Sequence, residues 1–200
     1  MICCVTGHRP KGFPFPYGSD DDLFNKYLCI LEDTVEELMY EGYTHFISGM
    51  ADGVDLDFAW YVRSLSNDFE GIILESALPY PLRPSSISTE EDCLRRTLVC
   101  ESEKVTAVSP KYFSGCMQKR NRYMVDNADL VLAVWNGEKR GGTWYTINYA
   151  LKKGKSVRYI MLKDISPEDS TIDKYLLTEN VREMIEKEER LCRPETDEYR

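Results

Sequence analysis

The stretch Leu130–Trp135, LVLAVW, runs directly into Asn136–Thr146, NGEKRGGTWYT, so that an apolar run is followed by a glycine-bearing loop and a helical pattern. A short apolar run bounded in this way is typical of a strand buried on both faces of a parallel sheet. The same alternation recurs along the chain and predicts strands at Ile2–Val5, His45–Ile47, Gly71–Leu74, Lys104–Ala107, Leu130–Val134 and Val157–Met161. It predicts helices at Leu23–Glu41, Val54–Ser64, Thr89–Glu101, Lys119–Asp126 and Trp144–Lys152. The fold class is therefore α/β, with a doubly wound, mainly parallel sheet of about six strands and helices on both faces.

Length and composition describe a globular protein with one main domain. The chain has 200 residues, 42% of them hydrophobic and 30% charged, which excludes a disordered tail or a fibre. We expect residues 1–165 to form the domain. Residues 166–200 should add a loop and a charged helix near Ile172–Leu191, packed on the domain or on a partner subunit.

Charge and cysteine content restrict the partners. The formal net charge of −9 opposes binding to nucleic acid or to an anionic membrane. The seven cysteines show no CxxC spacing and no Cys/His cluster, so neither a metal site nor a cofactor is predicted, and the thiols should be reduced and mostly buried. With no signal-like segment at Met1 and no apolar run of about 18 residues, the sequence predicts a soluble cytoplasmic protein.

The first candidate loop, TGHRP, follows the first predicted strand. Gly7 would let the backbone approach a ligand closely, and Thr6 stands beside it. His8 and Arg9 would place an imidazole and a bidentate phosphate donor where the strand ends. The alternative is an ordinary turn with exposed side chains.

The second candidate loop, SGMADGVD, follows the second predicted strand. Ser48, Gly49 and Gly53 would expose main-chain N–H groups at the start of a helix, where an anion is favoured. Asp55 would either cap that helix or accept a hydrogen bond from a ribose hydroxyl. Such turns are common, and this one matches neither GxGxxG nor the P-loop pattern.

The third candidate loop is the one quoted first, and a cationic segment precedes its strand. Gly141 and Gly142 would leave backbone amides free for a phosphate, with Thr143 as the N-cap of the helix. In MQKRNRYMVDNAD, Arg120 and Asn121 lie among further cations in an otherwise acidic chain. A site for a small anion or a set of surface ion pairs would each explain that segment.

These four segments are predicted to meet at one edge of the sheet, because ligands of open α/β sheets bind outside the carboxyl ends of the strands. The residues thus indicate a pocket for a phosphorylated small molecule, with a nucleotide favoured and Asp55 or Asn121 near a sugar. His8 is the one histidine placed to act as an acid or base, and no triad or HExxH pattern is present.

In this order and spacing, TGHRP, SGMADGVD and RNRYMVDNADLVLAVWNG running into GGT resemble the YpsA-like family of the SLOG superfamily over about residues 2–160. This resemblance implies a Rossmann-like domain that binds nucleotide-derived ligands, ADP-ribose-like molecules among them, and that can form a homodimer. Carried over, the ligand-binding residues are Thr6, Gly7, His8, Arg9, Ser48, Gly49, Gly53, Asp55, Arg120, Asn121, Gly141, Gly142 and Thr143.

One departure bears on catalysis. The related LOG phosphoribohydrolases pair an arginine, here Arg120, with a glutamate, where this sequence has Thr146. A threonine cannot carry the charge that glycosidic chemistry needs.

Three functions follow from the sequence, and the first is favoured. It is capture of a nucleotide-derived molecule by a sensor or sequestering module. The second is hydrolysis of an N-glycosidic or phosphate bond by Arg120 with His8, Asp52 or Asp126. The third is a protein-interaction role for the acidic C-terminal helix.

Overall fold

A computed structural model of the protein describes residues 1–18, 20–82 and 89–166. The strands are β1 (Ile2–Gly7), β2 (His45–Ser48), β3 (Ile73–Leu78), β4 (Lys104–Ala107), β5 (Leu130–Trp135) and β6 (Ser156–Met161). The helices are α1 (Asp22–Tyr40), α2 (Val54–Leu65), α3 (Glu90–Glu101), α4 (Cys116–Asn127) and α5 (Gly141–Lys152), with 3-10 turns at Pro10–Gly12 and Leu162–Asp164.

All strand pairs are parallel, and the sheet order is β4-β3-β2-β1-β5-β6. The predicted α/β class, with a parallel six-stranded sheet of Rossmann-like topology, is confirmed. The strand order reverses at β1, which is flanked by β2 on one side and β5 on the other. In such sheets the crevice at the reversal point is the usual place for a ligand.

Two apolar layers hold the helices on opposite faces of the sheet. On one face Cys3 and Val5 of β1 pack with α1 and α2, and on the other Cys4 packs with Met124 and Val125 of α4. Alternate residues of β1 thus serve different layers, as the twofold repeat of a strand requires. Both faces are covered, which explains why the central strands read as continuous apolar runs.

The long helix α1 shows how local sequence sets the bounds of an element. Its apolar face, with Leu31, Val35 and Leu38 fully buried, follows the helical repeat. Asp21 caps its start, since one carboxylate oxygen accepts from the amides of Leu23 and Phe24, both at 3.0 Å. Each satisfied cap of this kind stabilises a helix by about 1 kcal/mol.

Three predicted elements have a bound that is wrong by three residues or more, and the other bounds agree to within two residues. The third strand is not Gly71–Leu74 but Ile73–Leu78, because it continues through the polar pair Glu75 and Ser76, which are buried with hydrogen-bonding partners. Helix α4 begins at Cys116 and α5 at Gly141, each about one turn before the predicted start.

Three further expectations concern the C-terminal helix, the cysteines and a membrane span. The predicted helix Ile172–Leu191 lies outside the described residues. No disulfide joins the six cysteines of the described ranges, and Cys3, Cys4 and Cys116 are buried. Within those ranges, no helix combines the length and apolar character needed to cross a membrane.

Candidate functional site

A cleft of about 480 Å³ opens at the carboxyl ends of β1 and β5, where the strand order reverses. Its volume lies in the usual range for small-molecule sites, about 300–1,000 Å³. One wall follows β1 and the other is the loop from β5 to α5. The cleft is lined by His8, Lys11, Gly12, Phe13, Pro14, Asn136, Glu138, Arg140, Gly141, Gly142 and Thr143.

The start of α5 forms the wall with exposed main-chain donors. Arg140 is the N-cap and makes no capping hydrogen bond with its side chain, so the amides of Gly141, Gly142 and Thr143 have no partner within the helix. The backbone of Gly141 has φ = +77°, a conformation that glycine adopts without strain. Donors at a helix N-terminus favour an anion here.

Thr143 does not cap α5 as predicted. It is the third residue of the helix, and its buried hydroxyl donates instead to the carbonyl oxygen of Gly7, at 2.8 Å. The helix begins earlier because two glycines can form its first turn beside an extended Arg140. The Thr143 hydroxyl therefore fixes the first turn of α5 against the end of β1.

The opposite wall is the TGHRP turn and the residues that follow it. The second candidate loop supports this wall, since the Val54 amide donates to the His8 carbonyl oxygen at 3.2 Å. A Cβ at Gly53, where φ is +85°, would lie 2.6 Å from that same oxygen. A Cβ at Gly7 would overlap the Val54 side chain. Gly7 and Gly53 thus allow the two loops to pack closely, and neither lines the cleft.

Asn136 connects the two walls. Its Nδ2 donates to the carbonyl oxygen of Gly12 at 3.1 Å, and its Oδ1 accepts from the amide of Glu138 at 3.0 Å. Sequence reasoning missed this residue, although it stands directly after the strand β5 and before the glycines. A polar side chain at the end of a central strand was the available signal.

The cleft carries a local excess of cationic groups in an acidic protein. Lys11 and Arg140 are exposed, and Arg140 pairs with Glu138 at 2.7 Å. That contact raises the pKa of Arg140 and lowers the pKa of Glu138. Glu138 and Arg140 stand in the third candidate loop, but only its glycines and Thr143 were predicted to bind. Lys11, Phe13 and Pro14 follow the TGHRP motif and were absent from the predicted set because no motif covers them.

His8 contributes a half-buried imidazole to the cleft. Burial lowers its pKa, against opposing effects of Asn136 and Glu138. Its Nε2 atom is buried, and no described residue hydrogen-bonds to it. The His8 ring therefore lines the cleft with a buried nitrogen, Nε2, that has no hydrogen-bonding partner among the described residues.

A second cluster of predicted residues lies outside the cleft. Arg120, with 6% of its surface exposed, donates from Nη1 to Oδ2 of Asp55 at 2.9 Å. The same carboxylate oxygen accepts from the Ala51 amide at 3.3 Å. Asp55 thus does not cap α2, whose N-cap is Gly53, and Arg120 lies buried against a carboxylate instead of facing the cleft.

Gly49 and Ser48 belong to this second cluster. A Cβ at Gly49 would overlap the guanidinium of Arg120, so the missing side chain is what admits the arginine. The Ser48 hydroxyl donates to the Asp55 carbonyl oxygen at 2.6 Å and accepts from the Met50 amide at 3.2 Å. The Ser48 hydroxyl and the Asp55 carboxylate are thus hydrogen-bonded within the fold, whereas Nε of Arg120 is buried without a partner among the described residues.

Asn121 and Thr146 link α4 to the first turn of α5. Asn121 Nδ2 donates to Thr146 Oγ1 at 2.8 Å, and that hydroxyl donates to the Gly142 carbonyl oxygen at 2.9 Å. Thr146 is 2% exposed, so its position does not open to the cleft. Asn121 thus supports the glycine turn from behind.

The predicted site residues therefore fall into two groups. His8, Gly141, Gly142 and Thr143 line the cleft. Those outside the cleft lining are Thr6, Gly7, Arg9, Ser48, Gly49, Gly53, Asp55, Arg120 and Asn121. Of these, Thr6 is buried in β1 and Arg9 is exposed before the 3-10 turn.

The remaining candidate acids are engaged elsewhere. Asp52 pairs with Arg95 of α3, and Asp126 pairs with Lys153 at 3.4 Å. Neither lines the cleft. In the part of the chain that the structure describes, no group of three His, Cys, Asp or Glu side chains is placed to hold a metal ion.

The six-stranded parallel sheet, with helices on both faces, defines the class, a Rossmann-like α/β domain. The family is set by comparison. The model of the YpsA family, described as the YspA SLOG family, matches residues 3–169, and the chain belongs to that family. The predicted resemblance is confirmed.

The chain is also similar to a curated protein, the uncharacterized SPbeta prophage-derived protein YoqJ of Bacillus subtilis (strain 168). The two are 29% identical over 142 residues, which cover 65% of this chain and 81% of the relative.

Proposed function

We propose that the protein captures a phosphorylated, nucleotide-derived small molecule such as ADP-ribose, and acts as a sensor or sequestering module. The phosphate would bind to the amides of Gly141, Gly142 and Thr143. Lys11 and Arg140 would contribute charge from the two sides of the cleft.

The observation that carries this proposal is the first turn of α5. Its three amides lack intrahelical partners, and the three residues line a cleft of about 480 Å³ at the reversal of the strand order. The helix dipole and a guanidinium favour an anion at that end. The walls of Phe13 and Pro14 supply the apolar surface that an organic ligand needs beside its charged group.

Capture is favoured over LOG-like hydrolysis by the state of the two carried-over catalytic positions. Arg120 is buried in its pair with Asp55, and Thr146 hydrogen-bonds within the fold. The carboxylate that lines the cleft, Glu138, is already paired with Arg140.

The test is a thermal-shift screen with adenine nucleotides, NAD, ADP-ribose and its cyclic forms, followed by chromatography of the incubated ligand. A ligand at about 100 times its Kd adds roughly 2.7 kcal/mol to the free energy of unfolding. In a protein of this size that raises Tm by about 5–11 °C. A rise in Tm with a chemically unchanged ligand supports capture. A ligand that is converted during the incubation would contradict capture and indicate an enzyme.

Gly142 offers a matched pair of variants for the same screen. Its φ lies outside the left-handed region, and a Cβ there meets no atom within 4 Å, so Gly142→Ala and Gly142→Asp should both fold. The alanine variant should retain ligand binding. The aspartate should stabilise the helix start by about 0.3–1 kcal/mol yet abolish the ligand shift, because its carboxylate repels a phosphate. Equal ligand shifts in the two variants would contradict the proposed position of the phosphate.

A further inference from the structure

Three aromatic side chains form a partly exposed surface beside the cleft, which we call the aromatic shelf: Trp135, Trp144 and Tyr159. The indoles of Trp135 and Trp144 are stacked, with ring centroids 5.4 Å apart and planes 18° apart. Tyr159 is 41% exposed, and its ring centroid lies 6.3 Å from that of Trp135. Neither tryptophan is fully buried.

The aromatic shelf borders the wall of the cleft that carries the free amides. Trp144 follows Thr143 in the first turn of α5, and Trp135 precedes Asn136 at the end of β5. Helical side chains tilt toward the N-terminus, so the Trp144 side chain leans toward the end of α5 at which Gly141 and Gly142 stand. Trp135 also donates from Nε1 to the Glu138 carbonyl oxygen at 3.0 Å, which fixes the indole to the loop of the cleft.

A cation already lies over this surface. The Lys139 ammonium is 5.7 Å from the centroid of Trp144, and its side chain is exposed. A long exposed side chain in such a contact is displaced at low cost. Once displaced, its charge would be available to an anion at the neighbouring helix start.

From this arrangement, and resting on the proposed function, we propose that Trp144, backed by Trp135, stacks the planar base of the captured nucleotide. The ligand class is then one in which a heteroaromatic ring and a phosphate belong to the same molecule. Aromatic side chains stack any base through its π-face. The aromatic shelf would accordingly give affinity for the base with little choice among bases.

The experiment compares two probes that differ only in the base, AMP and ribose 5-phosphate, by calorimetric titration. The parent should bind AMP more tightly. In Trp144→Leu, AMP should lose about tenfold or more in affinity, whereas ribose 5-phosphate should stay within about twofold of its parent value. Trp144→Phe should restore most of the loss, and Tyr112→Leu, an exposed aromatic on the β4 side of the sheet, should behave like the parent.

Tryptophan fluorescence gives a second measurement that does not depend on how well the leucine variant folds. AMP should quench the emission of the parent while ribose 5-phosphate should not, and the quench should disappear in Trp144→Phe, in which Trp60 and Trp135 remain.

The failures are distinguishable. Equal losses for both probes in Trp144→Leu, or equal binding of the two probes by the parent, would overturn base stacking and leave phosphate capture intact. If the parent bound neither these probes nor any ligand of the wider screen, the proposed function itself would be overturned.

Discussion

Replacing Arg120 by methionine tests whether this residue supports the fold or touches the ligand. Arg120→Met removes the guanidinium that donates to Asp55 at 2.9 Å but keeps most of the aliphatic volume. The two side chains are 7% and 10% exposed, so the carboxylate left behind would be buried without a cation.

The expected cost follows from that burial. Removing one partner of a buried ion pair destabilises a protein by about 3–5 kcal/mol, which in a chain of this length lowers Tm by roughly 6–20 °C. Asp55→Asn should lower the free energy of unfolding by a similar amount, because it leaves the buried Arg120 without a carboxylate partner. The double variant should be little worse than either single one, with a coupling energy of about 3 kcal/mol.

Urea unfolding of the parent, the two single variants and the double variant measures this cycle. Lys119→Met, at an exposed neighbouring position of α4, is the control and should change the free energy of unfolding by less than about 0.5 kcal/mol. The reasoning is refuted if Arg120→Met unfolds like the parent. If such a stable variant has also lost ligand binding, Arg120 acts on the ligand and not on the fold.

Three further predictions concern other polar groups. Burial raises the pKa of Glu75, but hydrogen bonds from four neighbours outweigh this effect and lower it from 4.5 to about 2. The ionised Glu75, which pairs with Lys104 and His45, therefore stabilises the fold above pH 4.5. Roughly 3 kcal/mol of the free energy of unfolding is lost as the pH falls from 4.5 to 2. Glu75→Gln should flatten this pH dependence, measured by denaturant titration at each pH, and an unchanged pH dependence would count against the assignment. Burial raises the pKa of Asp57 from 3.8 to about 7, so stability should decline as the pH rises between these values. Asp57→Asn should remove that decline in the same titration, and a parent whose stability rises over this range would contradict the assignment. Asn136→Ala should cost about 1 kcal/mol in stability and weaken ligand binding by separating the walls of the cleft, and calorimetric affinity equal to that of the parent would exclude this role.

The fold was predictable because its strands obey simple rules of burial. Continuous apolar runs such as LVLAVW indicate a two-sided sheet, and the long helix α1 shows both a helical repeat of apolar residues and a capping residue, Asp21. The error at β3 has a specific cause: Glu75 reads as the end of a strand, yet the fold buries it with donors from three other elements or loops. A sequence pattern cannot show partners that are distant in the chain.

The candidate site was predictable where backbone chemistry marks it and not where packing decides. The glycines before α5 indicated an anion-binding helix start. By contrast, Gly49 looked like a ligand-binding glycine, whereas its vacant side-chain position is filled by Arg120. A glycine after a strand can either approach a ligand or make room for a side chain. The sequence does not distinguish these roles, because the second depends on where α4 places Arg120.

Two neighbouring residues of α4 hydrogen-bond to different helices. Arg120 is tied to the first turn of α2 and Asn121 to the first turn of α5, so one helix holds the starts of two others. The side chains that face the cleft from the other wall, Lys11, Phe13 and Pro14, take no part in these contacts. Of these three, Phe13 packs against the core and contacts the Tyr27 ring, whereas Lys11 and Pro14 are exposed. Under the proposed function, exchange of Lys11 or Pro14 would therefore change what the cleft accepts at little cost to stability, while the contacts made by α4 stay as they are.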